Sequence, residues 1–188
     1  MLMDTSSRPS NCTNQINLVN TFRKLWEEHV MWTRSFIIST AANLADLQPV
    51  TMRLLRNPSD FAKELSKYYG EEKAKKFETL LTEHITIAAK VVNAAKAGDT
   101  ETLNDERKKW YVNADEIAAF LAAINPYWSN QEWRMMLYDH LKLLEIEVTE
   151  RLQGQYAKDV AQYDIIEDQA LMMGDLMANG IRKQFNLY

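Results

Sequence analysis

The sequence is poor in the residues that build tight turns and covalent cross-links. Its 188 residues include five glycines and four prolines, too few for the many turns that a protein of short strands needs, so long helices are favoured. The single cysteine, Cys12, excludes an internal disulfide and fits a reducing compartment. We therefore expect an all-α protein, and the cytoplasm is the simplest location for it.

The sequence also lacks a strong excess of one charge and any long apolar run. The 22 basic and 26 acidic residues give a formal net charge of −4, and their mixing leaves no basic patch for nucleic acid. No apolar stretch reaches the roughly eighteen residues of a membrane-spanning helix. The first residues lack a signal-peptide pattern. We expect no nucleic-acid or membrane partner, a flexible tail at residues 1–14, and one domain at residues 15–188.

What the sequence does contain is helical periodicity. Apolar residues recur at steps of three and four, as in Leu18, Phe22 and Leu25, which predicts amphipathic helices. The first predicted helix begins near residue 14 or 17 and ends near residue 46, before Pro49. A second begins at Asn57, with Pro58 in its first turn, because an asparagine cap followed by proline is a common helix start. Further breaks near residues 70, 98, 125 and 154 predict six helices in all.

An internal repeat underlies the helices. Residues 57–98 align with residues 113–154 without a gap, and the alignment pairs identical residues at several positions, among them Asn57 with Asn113 and His84 with His140. Such self-similarity indicates a repeated structural unit. We therefore predict an antiparallel bundle of four to six helices that contains two related helical hairpins with approximate twofold symmetry. A homodimer is a further expectation, since closed symmetric oligomers are common.

The three histidines each follow an acidic residue within an apolar helical stripe. His29, His84 and His140 are almost evenly spaced, and half a period further along the chain lies Asp168, preceded by Glu167. Imidazole and carboxylate groups on facing helices of a bundle are common metal ligands. We predict that His29, His84, His140 and Asp168 converge on one interior point and bind iron, zinc, manganese or nickel.

The acidic neighbours of these residues occupy different faces of their helices. Adjacent residues are rotated by about 100° around a helix, so Glu28, Glu83, Asp139 and Glu167 are expected to flank the polar layer, as supporting or alternative ligands, or to face solvent. Asp175 lies two turns beyond Asp168 and is a reserve carboxylate in another layer. No Glu-x-x-His motif precedes any of the histidines, which disfavours a ferritin-type di-iron centre.

Two functions fit this pattern. In the first, the protein binds a metal; a fourth position open to water or to a small molecule would allow chemistry, and a closed site would be structural. The reaction, and whether the protein is an enzyme, are left open by the sequence. In the second, the same residues form a metal-free hydrogen-bond network that specifies packing in a structural or interaction protein.

Four stretches carry a resemblance to a known family. LWEEHVMWTRSFIISTAANL, LLTEHITIAAKVVNAAKAGD, INPYWSNQEWRMMLYDHL and IEDQALMMGDLM resemble a family of small helical proteins of spore-forming bacteria that has no assigned function. Some of its members bear the label acetylglutamate kinase, an activity that needs a parallel sheet and glycine-rich phosphate loops, which this sequence lacks. In architecture alone the chain is similar to hemerythrin-like and ferritin-like bundles, and its ligand spacing departs from both.

Overall fold

Six long helices make up the structure, a computed structural model that describes the backbone of residues 11–187 and the side chains of residues 16–187. The helices are α1 (Asn11–Ala42), α2 (Leu47–Tyr69), α3 (Glu71–Ala97), α4 (Thr100–Ile124), α5 (Asn130–Leu152) and α6 (Tyr156–Gln184). The described residues form no strand, so the all-α prediction is confirmed. None of their helices is long and apolar enough to cross a membrane.

The helices form a closed ring in chain order. Each packs against the next, and α6 returns to pack against α1. The first helix of each consecutive pair, α1, α3 and α5, also contacts the other two, so these three helices lie innermost. The chain is therefore three consecutive hairpins, α1–α2, α3–α4 and α5–α6, around a common interior, whereas the predicted repeat aligns α2–α3 with α4–α5.

The second predicted helix start is wrong. Helix α2 begins at Leu47, so Pro49 lies in its first turn, where an N–H group is not needed. The helix then continues through Pro58 without a break. Asn57 does not cap a helix, because its buried side chain donates to the backbone carbonyl of Leu25 in α1 at 2.9 Å. The interhelical contact replaces the local one that the sequence suggested.

The ends of α1 differ from the prediction by a few residues. Helix α1 already includes residues 11–14, which were predicted as tail, and residues 1–10 lie outside the described part of the chain. Its carboxyl end comes at Ala42, because Asn43 adopts a positive φ of 52°, and the Leu44 N–H donates back to the Ser39 carbonyl at 2.9 Å. Asparagine tolerates this left-handed conformation at helix ends.

Candidate metal centre

The three histidines lie at the centre of the molecule, one on each inner helix. His29 is on α1, His84 on α3 and His140 on α5, with relative exposures of 2%, 2% and 0%. Their ring centroids are 5.6 to 6.3 Å apart. Each ring offers one nitrogen such that the three nitrogens lie within 4.8 Å of one another. The predicted convergence of the histidines is therefore present in the structure.

Each of the first two histidines is held by an asparagine from the following helix. His29 Nδ1 is 3.1 Å from Asn57 Oδ1, and His84 Nδ1 is 2.9 Å from Asn113 Oδ1. Both asparagines donate their amide N–H to a backbone carbonyl four residues before the histidine, that of Leu25 at 2.9 Å and that of Leu80 at 3.1 Å. The same pair of hydrogen bonds, to the histidine ring and to the carbonyl four residues before it, thus occurs in two hairpins.

The third hairpin carries a glutamine at the equivalent place. Gln169 of α6 donates its amide N–H to the Met136 carbonyl, again four residues before the histidine, at 2.9 Å. Its side chain is close enough to His140 to act on the pKa of that ring. Within the described part of the chain, however, neither His140 ring nitrogen nor Gln169 Oε1 has a hydrogen-bond partner. The third carboxamide therefore faces a histidine whose polar atoms are buried and unpaired.

The carboxamides determine which ring nitrogen is available. A backbone carbonyl only accepts, so the amide NH₂ of Asn57 must face Leu25 and its oxygen must face His29 Nδ1. Nδ1 then carries the proton, and Nε2 presents a lone pair, as in histidines that bind metals. The same reasoning applies to Asn113 and His84. In His84, Nε2 accepts a hydrogen bond from Trp110 Nε1 at 3.2 Å.

Burial keeps all three imidazoles neutral at pH 7. Desolvation lowers the pKa of His29 to about 4, against a smaller opposing effect of Asn57. It lowers the pKa of His84 to about 3, with His29 adding to the decrease. The pKa of His140 is also far below its ordinary value, mainly through burial and then through the other two rings. Neutral imidazole is the form that coordinates a metal.

The dimensions of the cluster suit one ion after a small movement. Three nitrogens no more than 4.8 Å apart all lie within 4.8 Å/√3, about 2.8 Å, of a common centre. Bonds from Zn²⁺ to imidazole are about 2.0–2.1 Å long. Each ring would therefore move inward by at most about 0.8 Å, which a change in side-chain torsions can provide.

The structure does not bring the fourth predicted ligand, Asp168, to the histidines. Asp168 is exposed, and it does not belong to the cluster of possible ligands. The residue that faces His140 is its neighbour Gln169, rotated about 100° around α6. An uncompensated carboxylate at that depth would be costly to bury, whereas the neutral glutamine donates to the Met136 carbonyl without burying a charge.

The remaining acidic candidates lie outside the cluster. Glu83 and Asp139 are exposed, and Glu167 is half-buried. Glu28 pairs with Arg53 at 2.9 Å, and Asp175 forms a two-pronged ion pair with Arg23 at 2.6 Å. None of these carboxylates belongs to the cluster of possible metal ligands. They lie at the surface of the bundle or form ion pairs there.

Sequence reasoning missed the three carboxamides. One signal was present, because the alignment at an offset of 56 residues paired Asn57 with Asn113, and one further step of 56 lands on Gln169. Asn57 was interpreted as a helix cap instead. The repeated combination of a histidine and a carboxamide 28 or 29 residues later is the sequence pattern that identifies the site.

A second buried polar cluster joins the first and last helices. Arg34 of α1 binds Glu147 of α5 and Asp159 of α6, the latter at 2.7 Å, and Arg151 adds a contact to Asp159 at 3.2 Å. Burial raises the pKa of Glu147 to about 7 although Arg34 opposes the change. Glu147 and Arg34 lie at least five residues along their helices from the histidines, so this cluster is a separate ion-pair network.

Comparisons with known proteins give no relative. No protein-family model matches the chain, and neither a curated protein nor a solved structure matches it. The resemblance to the family of spore-forming bacteria therefore stays a prediction, and the function has to be argued from the site.

Proposed function

We propose that this protein binds one transition-metal ion through Nε2 of His29, His84 and His140. The observation that carries the proposal is the convergence of three neutral, buried imidazoles from three separate helices. Two of them are oriented through Nδ1 by an asparagine, an arrangement that is usual around metal-binding histidines. Buried polar atoms without partners, as on His140, are also costly unless something else satisfies them.

The donor set narrows the choice of metal. Imidazole nitrogen suits zinc, iron and nickel, whereas manganese prefers oxygen ligands. With Asp168 at the surface, the cluster offers nitrogen alone. Of the four metals expected from the sequence, zinc, iron and nickel are therefore favoured over manganese. Because the three ligands are neutral, an ion held here keeps its full charge unless a further ligand neutralises part of it.

The direct test is the metal content of the purified protein. The chain is expressed without a histidine tag, purified without chelator, supplied separately with iron, zinc, manganese and nickel, and analysed by elemental mass spectrometry. We expect close to one zinc, iron or nickel ion per chain, because a preformed site with several ligands retains its metal. Less than about 0.1 ion per chain with every metal would overturn the proposal.

A matched pair of variants tests the ligand set. His84→Gln with His140→Gln removes two ligands and should abolish metal retention. Asp168→Asn changes the exposed carboxylate and should leave the metal content unchanged. Loss of metal in Asp168→Asn would show that the ligands are not those proposed.

A metal-free packing network is the second candidate function. The observation that favours it is the hydrogen bond from Trp110 Nε1 to His84 Nε2, because this bond satisfies the lone pair that a metal would need. Trp110→Phe removes the donor and distinguishes the two functions. If the site binds metal, the variant should bind it more tightly; if the network is structural, it should lose stability, and no added metal should raise the melting temperature of the wild type.

A further inference from the structure

A small, partly open cavity adjoins the histidine cluster. It has a volume of about 20 Å³, and both His29 and His84 line it. Its walls also include Thr33, Ala88 and Leu144, the residues that follow His29, His84 and His140 by four positions and hence by about one helical turn. The cavity therefore lies directly beside the histidine layer, towards the carboxyl ends of the inner helices.

The opposite side of the layer is filled. The residues three positions before the histidines, Trp26, Leu81 and Leu137, are each 1% exposed, and Trp26 packs edge-on against both His29 and His140. An ion held by the three rings therefore has large side chains on one side and free space on the other. Of the two faces of the cluster, only the one towards the cavity leaves room for another ligand.

The differences in size among the three residues beside the cavity explain this space. Leu144 is large, Thr33 is intermediate and Ala88 is small, although they occupy corresponding positions on the three inner helices. Thr33 Oγ1 donates to the His29 carbonyl at 2.7 Å, so its oxygen can still accept a hydrogen bond. Trp110, whose Nε1 donates to His84 Nε2, also lines the cavity, and apart from Thr33 and the two histidines the rest of the lining is aliphatic or aromatic.

We propose that the fourth coordination position of the metal opens into this cavity and holds an exchangeable ligand of one or two non-hydrogen atoms. The inference rests on the metal binding proposed above. A water molecule needs roughly 10–15 Å³ of such space, so about 20 Å³ admits water and little more. Water or hydroxide is the resting ligand, with the metal and Thr33 as its two polar partners, and the site is thus of the open type that supports chemistry.

Exchange at this position can be followed with cobalt and two anions. Cobalt(II) replaces the native ion because its visible spectrum responds to a change of ligand. Cyanide has two non-hydrogen atoms and displaces the bound water as an intact molecule, so that one metal–oxygen bond breaks and one metal–carbon bond forms. Thiocyanate has three such atoms. We expect cyanide to change the spectrum of the wild type and thiocyanate to leave it unchanged.

Two variants alter the cavity in opposite directions. Ala88→Leu fills the space and should weaken cyanide binding about tenfold or more, with cobalt retained. Leu144→Ala enlarges the space and should admit thiocyanate. Leu141→Ala is the matched control, because Leu141 is a fully buried leucine on the same helix that does not line the cavity; its ligand preference should match the wild type.

The outcomes separate this inference from the proposed function. Absence of bound cobalt in the wild type, measured by elemental analysis, contradicts the metal site itself and the cavity with it. Bound cobalt with no response to cyanide overturns the open position alone. A response to cyanide that Ala88→Leu leaves intact, in a variant with an unchanged circular dichroism spectrum, shows that the ligand enters elsewhere and also overturns the inference.

Discussion

At the scale of single residues, the site depends on neutral groups. Asparagines hydrogen-bond two of the three rings, and the third ring faces Gln169 where the carboxylate of Asp168 was predicted; Asp168, one position earlier, is exposed. Periodicity correctly placed all three histidines in the interior because each continues an apolar stripe. It could not distinguish Asp168 from Gln169, since two adjacent residues can both lie near the edge of a buried face, and the cost of burying a charge decides between them.

Asn113 should prove necessary both for stability and for the orientation of His84. Asn113→Leu keeps a similar volume but leaves His84 Nδ1 and the Leu80 carbonyl without their present partner. We expect a loss of about 1–3 kcal/mol in the free energy of unfolding and metal binding weaker by roughly 10–100-fold. Urea titration and metal competition measure the two effects. Asn93→Leu, an exposed site on α3, is the control and should change neither.

The histidines should also make the metal-free protein sensitive to acid. Their folded-state pKa values lie below the ordinary 6.5, at about 4 for His29 and about 3 for His84. Between pH 6.5 and the folded-state pKa of each histidine, the unfolded chain binds more protons than the folded chain. The contribution of the neutral histidines to the free energy of unfolding is therefore fully present above pH 6.5, and it is lost as the pH falls towards 4 for His29 and towards 3 for His84. The raised pKa of Glu147, about 7, acts in the opposite direction, because below pH 7 the folded state binds the extra proton.

A variant isolates the contribution of one histidine. Across the interval from pH 6.5 to 5, neutral His29 should account for about 2 kcal/mol of the lost stability. We expect His29→Gln to be less stable than the wild type at pH 7.5 and to lose less on acidification. Urea unfolding of both proteins at several pH values gives the difference in their free energies of unfolding. The effect of Glu147 is the same in both proteins and therefore drops out of this difference. Parallel pH profiles for the two proteins would contradict the assignment.

At the scale of elements, local rules predicted the number of helices better than their limits. The glycines at residues 70, 98 and 154 all have a positive φ and separate helices as expected. Pro126 correctly marked the break after α4, but Pro49 and Pro58 misled the prediction, because Pro49 lies in the first turn of α2 and Pro58 within it. What the sequence could not supply is the partner of Asn57, which is 32 residues away at Leu25. Such a contact depends on how α1 and α2 pack, and no local pattern encodes it.

The contact between α1 and α6 depends on a glycine within a helix. A Cβ atom added at Gly174 would lie 2.8 Å from Arg23 Cα, part of the α1 backbone, and the backbone cannot move aside without separating the helices. Gly174→Ala should therefore lower the free energy of unfolding by about 1–2 kcal/mol, although alanine is the better helix former. Ala161→Gly, at an exposed position on α6, is the control, because it measures the difference in helix propensity between alanine and glycine without a packing contact. A gain in stability in Gly174→Ala would contradict the close packing.

At the scale of the whole molecule, three hairpins share one interior. Each contributes one histidine from its first helix and one carboxamide from its second, as in the pairs His29 with Asn57 and His84 with Asn113. The sequence alignment of residues 57–98 with 113–154 runs from the second helix of one hairpin into the first helix of the next, so it paired members of different units. The alignment ended at residue 154, before Gln169, where a glutamine takes the place of the asparagine of the other two hairpins. The expected homodimer and the cytoplasmic location stay predictions.

The buried network around Arg34 links α1 to α6 where the ring of helices closes. Its partners Glu147 and Asp159 are both 0% exposed, so Arg34→Met would leave two buried carboxylates without their shared cation. Removing one member of such a pair typically costs about 3–5 kcal/mol. We expect a loss of this size in urea unfolding.

The chain provides a matched control for this closing contact. Arg23 and Asp175 also join α1 to α6, but their side chains are 46% and 34% exposed, and exposed pairs contribute about 0–1 kcal/mol. Arg23→Met should therefore change the free energy of unfolding far less than Arg34→Met, even though both substitutions remove an ion pair between the same two helices. Equal losses would mean that burial does not decide the contribution, and that the Arg34 network is not what holds the two ends of the chain together.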